Sequence, residues 1–187
     1  IPDDDGTAAP GVARDETEWV GDVAVSRVLR HVTTDGRNHR LVGEVRLSNP
    51  AAPDVTNAWA DAANPFTLTD YMPKDGCRPC SERPSRTVEA DGSVTVNDYC
   101  SGDWAAGDGT AAGVFTRKTG GDWFRTVSTR YPSAACVPVP GVTVRDVTVE
   151  VRSSRRIVLR ERWIAAGTGD DDWERISWTE TFRDKEG

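Results

Sequence analysis

The sequence predicts an all-β fold: an antiparallel β-sandwich or strongly curved sheet of about nine strands, with long disulfide-pinned loops. Apolar residues recur at every second position in several stretches, which is the period of a half-buried strand. Signals for turns, rich in Gly, Asp and Pro, separate these stretches. No long stretch has the apolar period of a helix, so strands are the elements that we expect.

The first 18 residues lack this alternation and are rich in acidic residues and proline. We therefore predict an extended N-terminal arm over residues 1–18 and a single β-sandwich-like domain over residues 19–187. An extended arm is suited to lie along the groove or the sheet edge of a partner. The arm residues that we expect to contact a partner are Ile1, Pro2, Asp3, Asp4 and Asp5.

The first predicted hairpin has alternating stretches on both sides of Asp35-Gly36, a strong signal for a tight turn. A three-residue loop would pair Leu29 with Leu41 and keep one face apolar. The same register places His31 opposite His39, and the chain has no other histidine. Because no third ligand lies near this pair in the sequence, we expect no metal site and no cofactor.

The middle of the chain is irregular. Six prolines fall within residues 49–85, which predicts a long excursion with one short strand at 66–69. Two more hairpins are predicted, around Asp91-Gly92 and around Gly120-Gly121. Between them we expect a Gly- and Asp-rich loop that contains Trp104. The last third then predicts a three-stranded antiparallel meander.

The four cysteines predict two disulfides, because an even number of cysteines is typical of exported proteins. We favour a short Cys77–Cys80 bridge and a longer Cys100–Cys136 bridge, and crossed pairings remain open. The surrounding prolines argue against a helix after Cys77, so the spacing of the first pair does not indicate a redox site. A zinc site is disfavoured since the other two cysteines are far apart in sequence.

Composition narrows the classes of partner. The formal net charge is −7, which argues against nucleic acid and against anionic membrane surfaces as ligands. Only three of the 23 basic residues are lysine, a bias typical of a high-GC bacterium or its phage. The chain starts at Ile1 rather than Met, and signal-peptide removal is the cause that we expect. We therefore expect a secreted bacterial protein.

No catalytic motif is present in the sequence. A nucleophile elbow, a phosphate-binding loop and a helical zinc-protease motif are all absent. Asp103 and Asp108 beside Trp104 are the best pair for glycoside hydrolysis, but aspartate next to glycine is ordinary turn chemistry. We therefore expect that the protein is not an enzyme.

Tryptophans in polar segments are typical of binding surfaces. Trp19, Trp59 and Trp104 are the candidates here, together with the arm. From these features we expect a non-catalytic adaptor that binds another protein subunit in a secreted complex such as a bacterial toxin assembly. A carbohydrate or cell-wall binding module is the main alternative. A secreted hydrolase inhibitor and a phage structural protein are further alternatives.

Overall fold

All regular secondary structure in the described residues is β-strand, which confirms the all-β prediction. The structure is a computed structural model and describes residues 14–34, 40–59, 61–72 and 83–181. It contains eleven antiparallel strands rather than about nine. They are β1 (Arg14–Val20), β2 (Val23–Thr34), β3 (Arg40–Arg46), β4 (Phe66–Tyr71), β5 (Pro84–Glu89), β6 (Val94–Ala105), β7 (Val114–Arg117), β8 (Trp123–Tyr131), β9 (Val144–Val151), β10 (Ile157–Ala165) and β11 (Trp173–Glu180).

The chain divides into two compact units after Gly92. In the first unit, β1 to β5 follow one another in chain order as an open antiparallel meander. Its core forms where β2 and β3 meet the loop that follows β3, and Val45 is completely buried there. The prediction of a 1–18 arm and a single 19–187 domain stays a prediction.

The second unit has the strand order β6, β8, β9, β10, β11. β7 is not part of this order and pairs with the last residues of β6. Strands β9, β10 and β11 form the meander predicted for the last third of the chain, so that prediction is confirmed. Within each unit the described strands form an open sheet, so the pairing is not that of a sandwich. The core cluster consists of Val149, Val158 and Leu159, with Trp104, Ala112, Phe115, Trp123, Val151 and Trp178 packed against it.

β1 is a strand that we did not predict, because five of its seven residues are charged or polar. It overlaps the last residues of the predicted arm and pairs with β2 along its whole length. Gly21 and Asp22 connect the two strands, and Gly21 has a φ of 61°, in the left-handed region that favours glycine. A Gly-Asp pair between Val20 and Val23 is a two-residue hairpin signal, so the sequence did contain the information.

The register predicted for the β2–β3 hairpin is wrong by four residues. Leu29 pairs with Val45 rather than with Leu41, and His31 pairs with Gly43. An even shift keeps every side chain on its face of the sheet, so the apolar pattern could not choose between the two registers. The predicted turn and His39 lie outside the described residues.

The predicted β7–β8 hairpin is also wrong. β7 pairs with the end of β6, with Trp104 opposite Phe115. The preceding part of β6 pairs with β8. β6 therefore extends to Ala105, and Trp104 lies in a strand rather than in the predicted loop.

The predicted Cys100–Cys136 disulfide is absent, since both residues are free thiols. Cys100 is opposite Arg125, whereas Cys136 lies in the connection that follows the end of β8 at Tyr131. Arg125 and Tyr131 are roughly 20 Å apart along the strand, and a disulfide needs Cα atoms within about 7 Å. The structure therefore does not support disulfide-pinned loops, and Cys77 and Cys80 lie outside the described residues.

Candidate functional site

Trp19 is the most exposed of the seven tryptophans. Its relative exposure is 59%, whereas the other six are half-buried. It lies in β1 next to the turn, where a bulge between Glu18 and Trp19 shifts the register so that Trp19 pairs with Ala24. The bulge and the adjacent turn therefore fix the position of this side chain at the end of the β1–β2 hairpin.

Three exposed valines surround Trp19. Val20, Val23 and Val25 are exposed by 65%, 64% and 46%. The extra residue of the bulge is Val25 in β2, so simple alternation along β2 is interrupted there. By the register on either side of the bulge, Trp19 lies on the face that carries the buried Leu29, and Val20 and Val23 pair on the opposite face. Both faces at this point therefore carry exposed apolar residues. We call Trp19, Val20, Val23 and Val25 the hairpin end.

The hairpin end is exposed because β3 does not reach it. Pairing between β2 and β3 in the described residues ends at Val28 and Arg46, so residues 23–26 have β1 as their strand neighbour. β1 is itself the first strand of its unit. The hairpin end thus lacks the sheet neighbour that covers Leu29, and its apolar surface faces solvent.

Ion pairs fix the base of this hairpin. Arg27 Nε and Nη2 donate to the two carboxylate oxygens of Asp15 at 2.9 and 2.6 Å, and Arg27 Nη1 donates to the carbonyl of Ala52 at 2.7 Å. The hydrogen bond from Arg27 holds the pKa of Asp15 below its usual value. Arg14 Nε lies 2.7 Å from Glu16 Oε1 within β1. The Asp15–Arg27 pair therefore links β1 to β2 at the base of the hairpin, and the strand pairing continues to its end.

Trp59 and Trp104 do not present free surfaces comparable to that of Trp19. Trp59 packs against the core cluster of the first unit. Trp104 packs against the core cluster of the second, and its ring lies so close to Gly113 that a Cβ there would overlap with it. The arm residues 1–5, which we also expected to contact a partner, lie outside the described residues.

The aspartates beside Trp104 have local roles. Asp103 accepts a hydrogen bond from Lys118 Nζ at 2.7 Å. Asp108 accepts from the Thr110 hydroxyl at 2.7 Å and from the backbone N–H groups of Thr110 and Ala111. These hydrogen bonds lower the pKa of Asp108 to about 2, and the one from the Thr110 hydroxyl has the largest effect. Both carboxylates thus take part in local hydrogen bonds, and those of Asp108 are ordinary turn chemistry, as the sequence predicted.

A small polar pocket of about 160 Å³ lies within the loop that follows β3. Its polar atoms stabilise the loop itself. Asn64 accepts from Ser48 N–H and donates to the carbonyl of Ala58, while Asp54 and Asp61 accept from backbone N–H groups two residues ahead. The bonds of Asp54 and Asp61 are ordinary Asx turns, and those of Asn64 connect the two ends of the loop, so the cluster is accounted for without a ligand.

Several arginines of the second unit are engaged within it. The Arg145 guanidinium lies 3.8 Å from the ring centre of Trp173, and Arg175 lies 5.5 and 5.6 Å from those of Trp163 and Trp178. Arg162 donates two hydrogen bonds to Asp146. Each of these three arginines therefore interacts with a side chain of its own unit.

No group of three or more potential metal ligands comes together in the part of the chain that the structure describes. The same residues contain no helix long and apolar enough to cross a membrane. Comparisons with protein families, with curated proteins and with solved structures found no match to this chain. The hairpin end, an exposed apolar surface on a hairpin whose base is fixed by ion pairs, is therefore the candidate site.

Proposed function

We propose that this protein is a non-catalytic adaptor subunit of a secreted complex, and that it binds another protein through the hairpin end. The observation that supports the proposal is the exposure of four apolar residues, Trp19, Val20, Val23 and Val25, at one end of a hairpin. Single exposed apolar residues are normal on soluble proteins, but groups of them mark interaction sites. Tryptophan at the centre of such a surface is typical of residues that contribute most to protein binding.

The sheet edge adds a second kind of contact. An exposed edge strand presents unpaired N–H and C=O groups, and many proteins bind a partner by adding its strand to such an edge. β1 is the first strand of its unit and contributes Trp19 and Val20 to the hairpin end. A partner strand on this edge would place its side chains beside Trp19 and Val20.

The carbohydrate-binding alternative receives less support. It relied on Trp59 and Trp104 as exposed platforms, and both are half-buried against core clusters. Sugar rings stack on an open aromatic face, and packing against a core removes at least one such face. Protein binding through Trp19 is therefore the function that we put forward.

Co-purification from the native host tests this proposal. We expect that the double variant Trp19→Ser, Val23→Ser loses proteins that the wild type retains. The matched control is Val114→Ser, Ile176→Ser, which removes apolar residues of 64% and 53% exposure from the second unit. Retention of the same proteins by all three forms would contradict the proposal.

The contribution of the arm is tested separately. Deletion of residues 1–13 leaves the whole of β1 in place. If the arm contributes contacts of its own, this deletion weakens retention of the same partners without abolishing it. The hairpin-end variant and the deletion together distinguish the two surfaces.

A further inference from the structure

We propose that the partner contributes a basic strand to the hairpin end: an extended segment in which apolar side chains alternate with Lys or Arg. This inference rests on the proposed function and specifies the chemistry of the partner. It depends on the distribution of charge along the chain and on the ion pairs around β1.

Nearly all of the net charge lies in the first 22 residues. They contain seven acidic residues and one basic residue, a net charge of −6. The other 165 residues contain 23 acidic and 22 basic residues, a net charge of −1. The described part of this segment, residues 14–22, contains four acidic residues and one basic residue, and it includes Trp19 and Val20 of the hairpin end. These charges favour a positively charged partner.

Two carboxylates beside the apolar surface have no basic partner in the described residues. The Asp15 charge is matched by Arg27, and that of Glu16 by Arg14. Glu18 and Asp22 are exposed and form no ion pair with the described residues. They flank Trp19 and Val20 in sequence, so Lys or Arg side chains of a bound strand would lie within reach of them.

The same charges disfavour a second copy of this chain as the occupant. Two β1 strands paired edge to edge would place a segment with three acidic residues and one basic residue against its own copy. Like charges on adjacent strands destabilise the pairing. A basic strand would cover the apolar surface with its apolar side chains and form ion pairs with the acidic residues around it through Lys or Arg.

Two synthetic peptides test the inference directly. One is a labelled ten-residue peptide that alternates valine with lysine and arginine, and the other replaces every basic residue with glutamate. We expect fluorescence anisotropy to detect binding of the basic peptide, and to detect weaker binding as the salt concentration rises. Equal binding of both peptides, or no binding of the basic one, would overturn the inference.

Variants of the protein locate the contact. Glu18→Gln, Asp22→Asn removes the two unmatched charges, and we expect it to weaken binding of the basic peptide about three- to tenfold. The matched control Asp170→Asn, Asp171→Asn removes the same charge from an exposed loop of the second unit and leaves binding unchanged. Equal effects of both variants would mean that only net charge matters, which also overturns the inference.

The two proposals fail in different ways. If the basic peptide does not bind, but native partners are lost from the Trp19→Ser, Val23→Ser variant, the hairpin end binds a partner of another chemistry. If the peptide binds and that variant still retains every native partner, the proposed function is wrong.

Discussion

Glu180 shows how single residues fix the loops of the second unit. Its two carboxylate oxygens accept hydrogen bonds from the backbone N–H groups of Gly107 and Gly113, at 2.8 and 2.9 Å. The loop between these glycines follows Trp104 in β6, and Ala112 in it packs against the core cluster. One side chain at the end of β11 therefore attaches a loop that lies about 70 residues earlier in the sequence.

The first prediction at the residue scale concerns this carboxylate. We expect Glu180→Gln to lower the free energy of unfolding by about 1–3 kcal/mol, since its amide group can accept from only one of the two N–H groups. Hydrogen exchange at the Gly107 and Gly113 amides, together with chemical denaturation, measures the effect. Glu174→Gln, at an exposed position of the same strand, is the control. Unchanged exchange at both amides would contradict this role.

Residue types predicted local chemistry better than they predicted contacts. Aspartate next to glycine predicted ordinary turns, and Asp108 does cap such a turn. The prediction of a Cys100–Cys136 disulfide was wrong because an even number of cysteines indicates disulfides without giving the distance between any two sulfur atoms. In the structure Cys100 is buried, and burial raises the pKa of its thiol.

At the scale of elements, the strands were predictable and their partners were less so. Strands β9, β10 and β11 alternate clearly and are joined by short connections, so both their positions and their order could be predicted. β1 could not be found from alternation because its side chains are mostly polar and its stability comes from pairing with β2. β7 pairs with the last residues of β6, so its partner can be predicted only if the length of β6 is known. No short sequence pattern indicates that length.

The turn at Gly21 is the element on which the candidate site depends. A Cβ at this position would meet no atom within 4 Å, so the cost of a side chain is the backbone strain of a φ of 61°. We expect Gly21→Val to destabilise the β1–β2 pairing by about 1 kcal/mol or more. Gly21→Asn, which tolerates the left-handed region, serves as the control. Amide exchange in β1 that is the same in both variants would argue against this dependence.

On the scale of the whole molecule, negative charge and apolar exposure occur in overlapping parts of the sequence. The first 22 residues carry a net charge of −6 out of −7, and the residues of the hairpin end lie between positions 19 and 25. The composition predicted an acidic protein that binds neither nucleic acid nor anionic membranes, which stays a prediction. The position of the exposed apolar surface could not be predicted, because it depends on where β3 stops pairing with β2.

The most direct test of the account is hydrogen–deuterium exchange on the complex with a co-purified partner, compared with the free protein. We predict slower exchange in peptides that cover residues 14–27 and unchanged exchange in peptides that cover residues 144–181. Protection confined to the second unit, with residues 14–27 exchanging as in the free protein, would contradict the claim that the hairpin end binds the partner.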